Sequence, residues 1–328
     1  MRIAILGAGA WGTALAICFS RAHQVTLWTR DRQHAQFMLQ QRINTRYLPE
    51  IILPAPIRIE TDIIQAIHNT DIALIATPMA GLRATLATLA RSHYASPIIW
   101  ACKGLEKDTM LLPHAVAEAE LPLGHTFAML SGPTFAMEIA QGLPASITLA
   151  STDTQFVHNL AEQLHNPRLR IYSSTDLIGV EIGAAVKNIM AIAAGVSDGL
   201  ALGYNARAAL LTRSIAEMTR FGVSLGAQAE TFMGLSGMGD LLLTSTSNLS
   251  RNRRVGLMLA EGKSLNEALH SLGHVAEGVP TTREVMHQAE TLGVEMPITS
   301  AVYQLLFNNL PASMAVEQLM GRDRKAER

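Results

Sequence analysis

The 328-residue chain is poor in several things, and each scarcity excludes something. It holds two cysteines, Cys18 and Cys102, too few for a disulfide framework. With no sign of secretion, that points to a reducing compartment. No HExxH or CxxC pattern occurs among its 11 histidines and 2 cysteines, so no metal site is expected. Charged residues make up 16% of the chain and nearly cancel: 26 Lys and Arg against 27 Asp and Glu, a formal net charge of −1. A duplex binder normally carries a basic face, so nucleic acid is not an expected partner. No run of about 18 apolar residues lacks a charge or strong breaker, so no membrane span is expected. The opening MRIAILGAGAWGTALAICF has the arginine and apolar stretch of a secretory leader, yet its glycines and β-type start point elsewhere.

What is present is more specific. A hydrophobic content of 48% permits a large core or an extensive subunit interface. The length allows two domains at roughly 100–200 residues each. One dense basic cluster, Arg251, Arg253 and Arg254, stands out in an otherwise balanced chain. Three arginines cannot follow a nucleic-acid backbone, but they suffice for one phosphate.

RIAILGAGAWGTALA reads as a buried parallel strand running into Gly7, Gly9 and Gly12 in G-x-G-x-x-G spacing, then into a helix. Gly7 serves the tight turn, Gly9 lets a pyrophosphate approach the backbone, and Gly12 lets helix and strand pack closely. The helix N-terminus offers N–H groups and partial positive charge to that anion. The competing reading is a structural glycine turn, and the strand–turn–helix context with a second strand, QVTLWT, favours the cofactor. That second strand ends in LWTRDR, with Arg30 ahead of Asp31. An arginine there suits the 2′-phosphate of NADP, whereas an acid suits the ribose hydroxyls of NAD. NADP is the expected preference, with NAD open and a solvated loop charge as the bland alternative. Further strands follow: DIALIATP, SPIIWACKG, TFAMLSGP, ASITLAS and LRIYSS. Two of them run into Lys103 and into Gly132–Pro133–Thr134, at the edge where open α/β sheets hold ligands. Lys103 is equally readable as a solvated lysine.

From about residue 176 the pattern turns helical, giving expected domains of 1–177 and 178–328. The expected fold is a Rossmann-like α/β domain with a mostly parallel sheet, followed by an all-α domain. Ser264 with Glu267 and Thr281 with Glu284 read as capping boxes. Gly222, Gly262, Gly273 and Gly293 read as helix stops. In GVEIGAAVKNIMAIAAGVSDG the helical neighbours of Lys187 are all apolar and mostly small. Burial disfavours the charged form of a lysine and prepares it for proton exchange near neutral pH. The alternative is a lysine that snorkels past small residues to water. Asp240 lies in a glycine-rich turn, either orienting a substrate hydroxyl or a lysine, or capping a helix.

Together these motifs resemble bacterial NAD(P)-dependent glycerol-3-phosphate dehydrogenases over almost the whole chain. The marks are GAGAWGTALA, CKGLE, SGPTFAMEIAQGLP, GAAVKNIMAIAAGVSDGL, GMGDLLLT, SRNRRVG, VAEGV and GVEMPIT. The resemblance implies reversible hydride transfer to C2 of dihydroxyacetone phosphate, giving sn-glycerol 3-phosphate, the backbone precursor of glycerophospholipids. It implies Lys187 as proton acceptor for the C2 hydroxyl. It implies substrate contacts from Lys103, Gly132, Thr134, Asp240, Ser250, Arg251 and Asn252. Trp11, Arg30, Lys103, Ala136, Arg251, Val275 and Glu277 are implied to contact the cofactor. Ala10 stands where some members carry serine. A cytoplasmic homodimer is likewise implied. The rivals are a related dehydrogenase for another hydroxy acid or phosphate ester, and a non-catalytic NADP-binding redox sensor. Activity with ketopantoate or 6-phosphogluconate separates the first, and the apolar setting of Lys187 tells against the second.

Overall fold

The computed structural model describes residues 1–273 and 276–321. They form two compact units: residues 1–103 with 111–181, and residues 104–110 with 182–321.

The first unit is built on an eight-stranded sheet. Its strands are β1 (Arg2–Leu6), β2 (Gln24–Trp28), β5 (Arg58–Glu60), β6 (Ile72–Ile75), β7 (Ile98–Trp100), β8 (Phe127–Ser131), β9 (Ala145–Ala150) and β10 (Leu169–Ser174). The small strands β3 (Ile43–Asn44) and β4 (Leu48–Ile52) form a separate antiparallel hairpin. The spatial order is β10-β9-β8-β7-β6-β1-β2-β5, and every pairing is parallel except β8 with β9. All six strands expected after the first one are present. β1, β6 and β7 are short apolar runs because helices cover both faces of such a sheet. Their side chains, with those of the helix Ala10–Phe19, make the unit's main core. The chain leaves β1 for β2 on one side and returns to β6 on the other, so the topological switch lies between β1 and β6. That is where open α/β sheets hold ligands, outside the carboxyl ends of the strands.

A buried polar clamp closes this unit. Glu181, fully buried, accepts from the His114 backbone N–H at 2.9 Å and lies 2.5 Å from His114 Nδ1. It thereby caps the first turn of the helix Pro113–Glu120. Burial pushes the Glu181 carboxyl upward, against the opposing pull of His114. Burial alone would lower His114, but the Glu181 carboxylate outweighs it and holds the imidazole above its ordinary value.

Among the described residues the second unit is helical, without strands. The helix Leu177–Gly199 begins within a residue or two of the expected change of pattern. It is long and apolar enough to cross a membrane, yet 89% of its apolar window is buried in the protein. It reads as a core helix. The Ser264–Glu267 capping box is present, and Gly273 and Gly293 are left-handed helix ends. Two expectations fail here. Thr281 lies inside the helix Gly278–Leu292, and its hydroxyl donates back to the Glu277 carbonyl at 2.7 Å. Gly222 lies inside the helix Gly203–Ser224. It is there because the ring of Phe232 packs where a Cβ would stand, 2.1 Å away. Packing, rather than a chain reversal, selects that glycine.

Candidate active site

The sequence-derived residues of the first unit follow the carboxyl ends of parallel strands. Gly7, Gly9, Trp11 and Gly12 follow β1, and Arg30 follows β2. Lys103 follows β7, and Gly132, Thr134 and Ala136 follow β8. Gly7 has φ +127°, and a Cβ there would stand 2.8 Å from the Ala76 carbonyl across the switch point. At Gly12 a Cβ would stand 1.9 Å from the Gly7 carbonyl oxygen, so no other residue fits without moving the turn. Around Gly9 the reverse holds, since a Cβ would meet nothing within 4 Å. The turn is thus closed behind and open in front. Its open side lies at the N-terminus of the helix Ala10–Phe19, whose cap carries no side-chain hydrogen bond. Such an arrangement fits a pyrophosphate.

Arg30 is exposed at the strand end. Asp31, which left the cofactor choice open, is occupied as a helix cap: its Oδ1 accepts from His34 N–H at 3.0 Å. That hydrogen bond holds the Asp31 carboxyl below its ordinary value. The acid therefore has local work, and the cation beside it faces solvent. Lys103 is half-buried, and the Thr134 hydroxyl donates to the Gly132 carbonyl at 3.3 Å.

The second unit gathers its residues around buried ions. Lys187 is 6% exposed and Asp240 is 1% exposed. Nζ of Lys187 donates to Asp240 Oδ1 and to Thr244 Oγ1, both at 2.7 Å. The snorkelling reading is excluded by this burial. The neighbours of Lys187 on its own helical face are apolar, as expected. Its partner arrives from another helix, Asp240–Thr246, 53 positions along the chain. Asp240 makes no cap; it is presented by a π-helical turn, Leu235–Gly239. Turns of that kind recur at functional sites. The turn approaches the lysine's helix closely, since a Cβ on Gly183 would stand 2.6 Å from the Ser236 carbonyl oxygen. Burying a lysine is costly unless an opposite charge and further hydrogen bonds compensate, and Asp240 and Thr244 supply both.

One residue on, Asn188 ties this helix to two others. Asn252 Nδ2 donates to Asn188 Oδ1 at 2.9 Å, and Asn252 Oδ1 accepts from Gly278 N–H at 3.0 Å. Gly278 follows Glu277, which sits at the start of the helix Gly278–Leu292. Ser250 caps the helix Arg251–Ala260, its hydroxyl accepting from Arg253 N–H at 3.2 Å. Arg251 thus stands exposed in the first turn of that helix, where N–H groups precede the intrahelical bonds. Val275 lies outside the described residues.

The basic cluster divides as helical geometry requires. Arg251 and Arg254 are exposed, while Arg253 turns inward. Arg253 pairs with Asp198 Oδ2 at 2.6 Å and donates to Asn248 Oδ1 at 2.7 Å. Asp198 also accepts from Arg207 Nε at 2.7 Å. Arg253 is a buried structural tie, which sets it apart from the two exposed arginines of the basic cluster. Thr244 and Asn188 were missed by sequence reasoning. Thr244 had a signal, since it lies four positions after Asp240 on one helical face. Asn188 had none beyond adjacency to Lys187.

A Rossmann-like sheet with a glycine turn at its switch point, in one chain with a helical unit built round a buried ion-paired lysine, defines the class as a two-domain, Rossmann-type oxidoreductase fold. Within that class, the chain belongs to the NAD-dependent glycerol-3-phosphate dehydrogenase family. Residues 2–157 match that family's N-terminal model and residues 176–317 its C-terminal model. It is 55% identical to the glycerol-3-phosphate dehydrogenase [NAD(P)+] of Nitrosospira multiformis, over 100% of this chain and 99% of the relative. It is 52% identical to that of Thiobacillus denitrificans, over 100% of both chains. The crystal structure of glycerol-3-phosphate dehydrogenase from Coxiella burnetii superposes with a TM-score of 0.93 at 41% identity, covering 98% of this chain and 99% of that one.

Proposed function

We propose that this chain catalyses the reversible NAD(P)H-dependent reduction of dihydroxyacetone phosphate to sn-glycerol 3-phosphate, supplying the backbone of glycerophospholipids. The observation that carries this reading is the lysine of the helical unit, buried and held at 2.7 Å by a carboxylate and a hydroxyl, in a chain matched end to end by this family.

The bound nicotinamide supplies the hydride that C2 of the ketone accepts. The alkoxide that develops needs a proton and positive charge nearby. Lys187 provides both, and takes the proton back in the oxidative direction. Asp240 and Thr244 fix where its Nζ stands, so little reorganisation accompanies the transfer. Lys103 assists at the substrate, with Gly132 and Thr134 beside it in the sequence-derived set. Ser250, Arg251 and Asn252 hold the substrate phosphate. In that assignment Arg251 contributes a fork matched to phosphate oxygens, Asn252 its place in the first turn, and Ser250 the cap that sets the helix start. Gly7, Gly9 and Gly12 shape the pyrophosphate turn. Trp11, Arg30, Lys103, Ala136, Arg251, Val275 and Glu277 complete the cofactor contacts, with Arg30 taking the 2′-phosphate of NADP. The preference for NADP is supported by the capping duty of Asp31. The division of labour is proposed to fall near residue 177, and the working form is proposed to be a cytoplasmic homodimer.

The test is a spectrophotometric assay with dihydroxyacetone phosphate, run in parallel with NADPH and NADH. Oxidation of NADPH at least as fast as of NADH is expected. No turnover with either cofactor would overturn the assignment.

A further inference from the structure

Asn44 belongs to no motif and ends the small strand β3, far in sequence from the glycine turn. It is 0% exposed, and its amide is fully engaged. Nδ2 donates to the Ala8 carbonyl at 3.0 Å and to Thr13 Oγ1 at 2.8 Å. Oδ1 accepts from His34 Nε2 at 2.9 Å and from Tyr47 N–H at 3.3 Å. This network sets the orientation of the amide and places the proton on Nε2 of His34. Ala8 is the residue between the first two glycines of the turn.

We infer that Asn44 is a positioning residue for the cofactor turn: by holding the Ala8 carbonyl inward, it aims the Gly9 N–H outward as a donor to the pyrophosphate. The inference rests on the reading of the turn as the cofactor's site. The geometry follows from the peptide plane. The Ala8–Gly9 peptide is trans, so its C=O and N–H point in opposite directions. Fixing one fixes the other. The Gly9 N–H makes no hydrogen bond among the described residues, and the side on which its Cβ would stand is open. Glycine pays for its freedom with a wide range of backbone conformations, and two run through this turn. Without an anchor the Ala8–Gly9 plane is free to rotate, and a donor aimed at random binds an anion poorly. Asn44 removes that freedom before the cofactor arrives, and His34 extends the anchor to the helix Arg32–Gln41 that follows Arg30. The two ends of the nucleotide subsite are thereby tied through one amide.

The discriminating variant is Asn44→Asp in the full-length chain. It keeps the size but sets an acceptor against the Ala8 carbonyl. KM and Kd for NADPH should rise about tenfold, the scale of one buried hydrogen bond and its consequences. The KM for dihydroxyacetone phosphate and kcat at saturating NADPH should stay within about twofold. A general loss of structure would move all of these together, so equal effects overturn the inference, as does an unchanged affinity for NADPH. Amide hydrogen exchange in the wild-type chain tests the same point if the variant fails to fold. Gly9 N–H should exchange fast without cofactor and slowly with NADPH; protection already present without cofactor overturns the inference. A wild-type chain that binds no NADPH overturns the cofactor reading and the inference together, whereas binding by wild type and variant alike overturns the inference alone.

Discussion

The two units solve the problem of holding charge in opposite ways. In the first, the polar groups at the ligand edge are mainly backbone: a glycine turn whose shape is dictated by the absence of Cβ atoms at Gly7 and Gly12. In the second they are buried side chains, Lys187 with Asp240 and Arg253 with Asp198, each neutralised by a partner dozens of positions away. A backbone site tolerates changes of side-chain chemistry and is intolerant of added volume. A site of buried ions is the reverse: volume is negotiable, but losing one partner strands the other in a medium that solvates it poorly.

The comparison breaks most sharply at Lys187. Lys187→Ala should lower kcat by ~10² or more, the scale of a general acid–base group, while Kd for NADPH by fluorescence titration barely changes. Near-normal turnover would remove the lysine from the reaction. Next is Arg253→Ala, which leaves Asp198 buried with Arg207 as its remaining partner. Urea denaturation should show a loss of about 3 kcal/mol, the lower end for breaking a buried pair; a surface contact would cost far less.

Arg251→Ala sharpens the contrast within one helical turn. It should cost ~10–150-fold in kcat/KM for dihydroxyacetone phosphate, the worth of a charge-assisted hydrogen bond. Arg254→Ala should cost much less. Activity with unphosphorylated dihydroxyacetone, a poor substrate, should hardly respond to Arg251→Ala, and equal damage to both substrates would assign Arg251 to the cofactor or the fold. In the first unit the expected side-chain effect is smaller. Arg30→Ala should weaken NADPH more than NADH, and equal weakening would remove it from the 2′-phosphate. The smallest effect is one of pH. His114 is held above its ordinary value, so its contribution to stability is full below about pH 6.5 and fades as pH rises through the folded value. Replacing it in His114→Gln should flatten that part of the stability curve relative to wild type, and parallel curves would count against the clamp.

The first unit was largely legible. Each expected strand from QVTLWT to LRIYSS appears, because short apolar runs bounded by turns have few other solutions once helices cover both faces. The glycine spacing marked a tight turn, since Gly7 answers a contact with the segment after the adjoining strand and Gly12 one with Gly7 itself, while Gly9 meets nothing. The second unit was legible as helices, and its caps were half legible. Ser264–Glu267 is a box because a helix begins there, whereas Thr281–Glu284 has the same spacing four residues inside one. Gly222 misled in the same way, as the ring that requires it belongs to Phe232 in a separate turn.

The sequence by itself determined what is local: the strand–turn–helix that shapes the first unit's ligand edge, the helical character of the second, and the apolar face on which Lys187 sits. Tertiary structure alone decided which residues that face meets. Nothing near Lys187 in the chain announces Asp240 and Thr244, nothing beside Ala8 announces Asn44, and nothing in SRNRR says that its middle arginine turns inward to Asp198. Local patterns follow from backbone periods of two and 3.6 residues, which a short stretch reveals. The partner of a buried charge is chosen by which helices pack together, and that depends on the whole core at once.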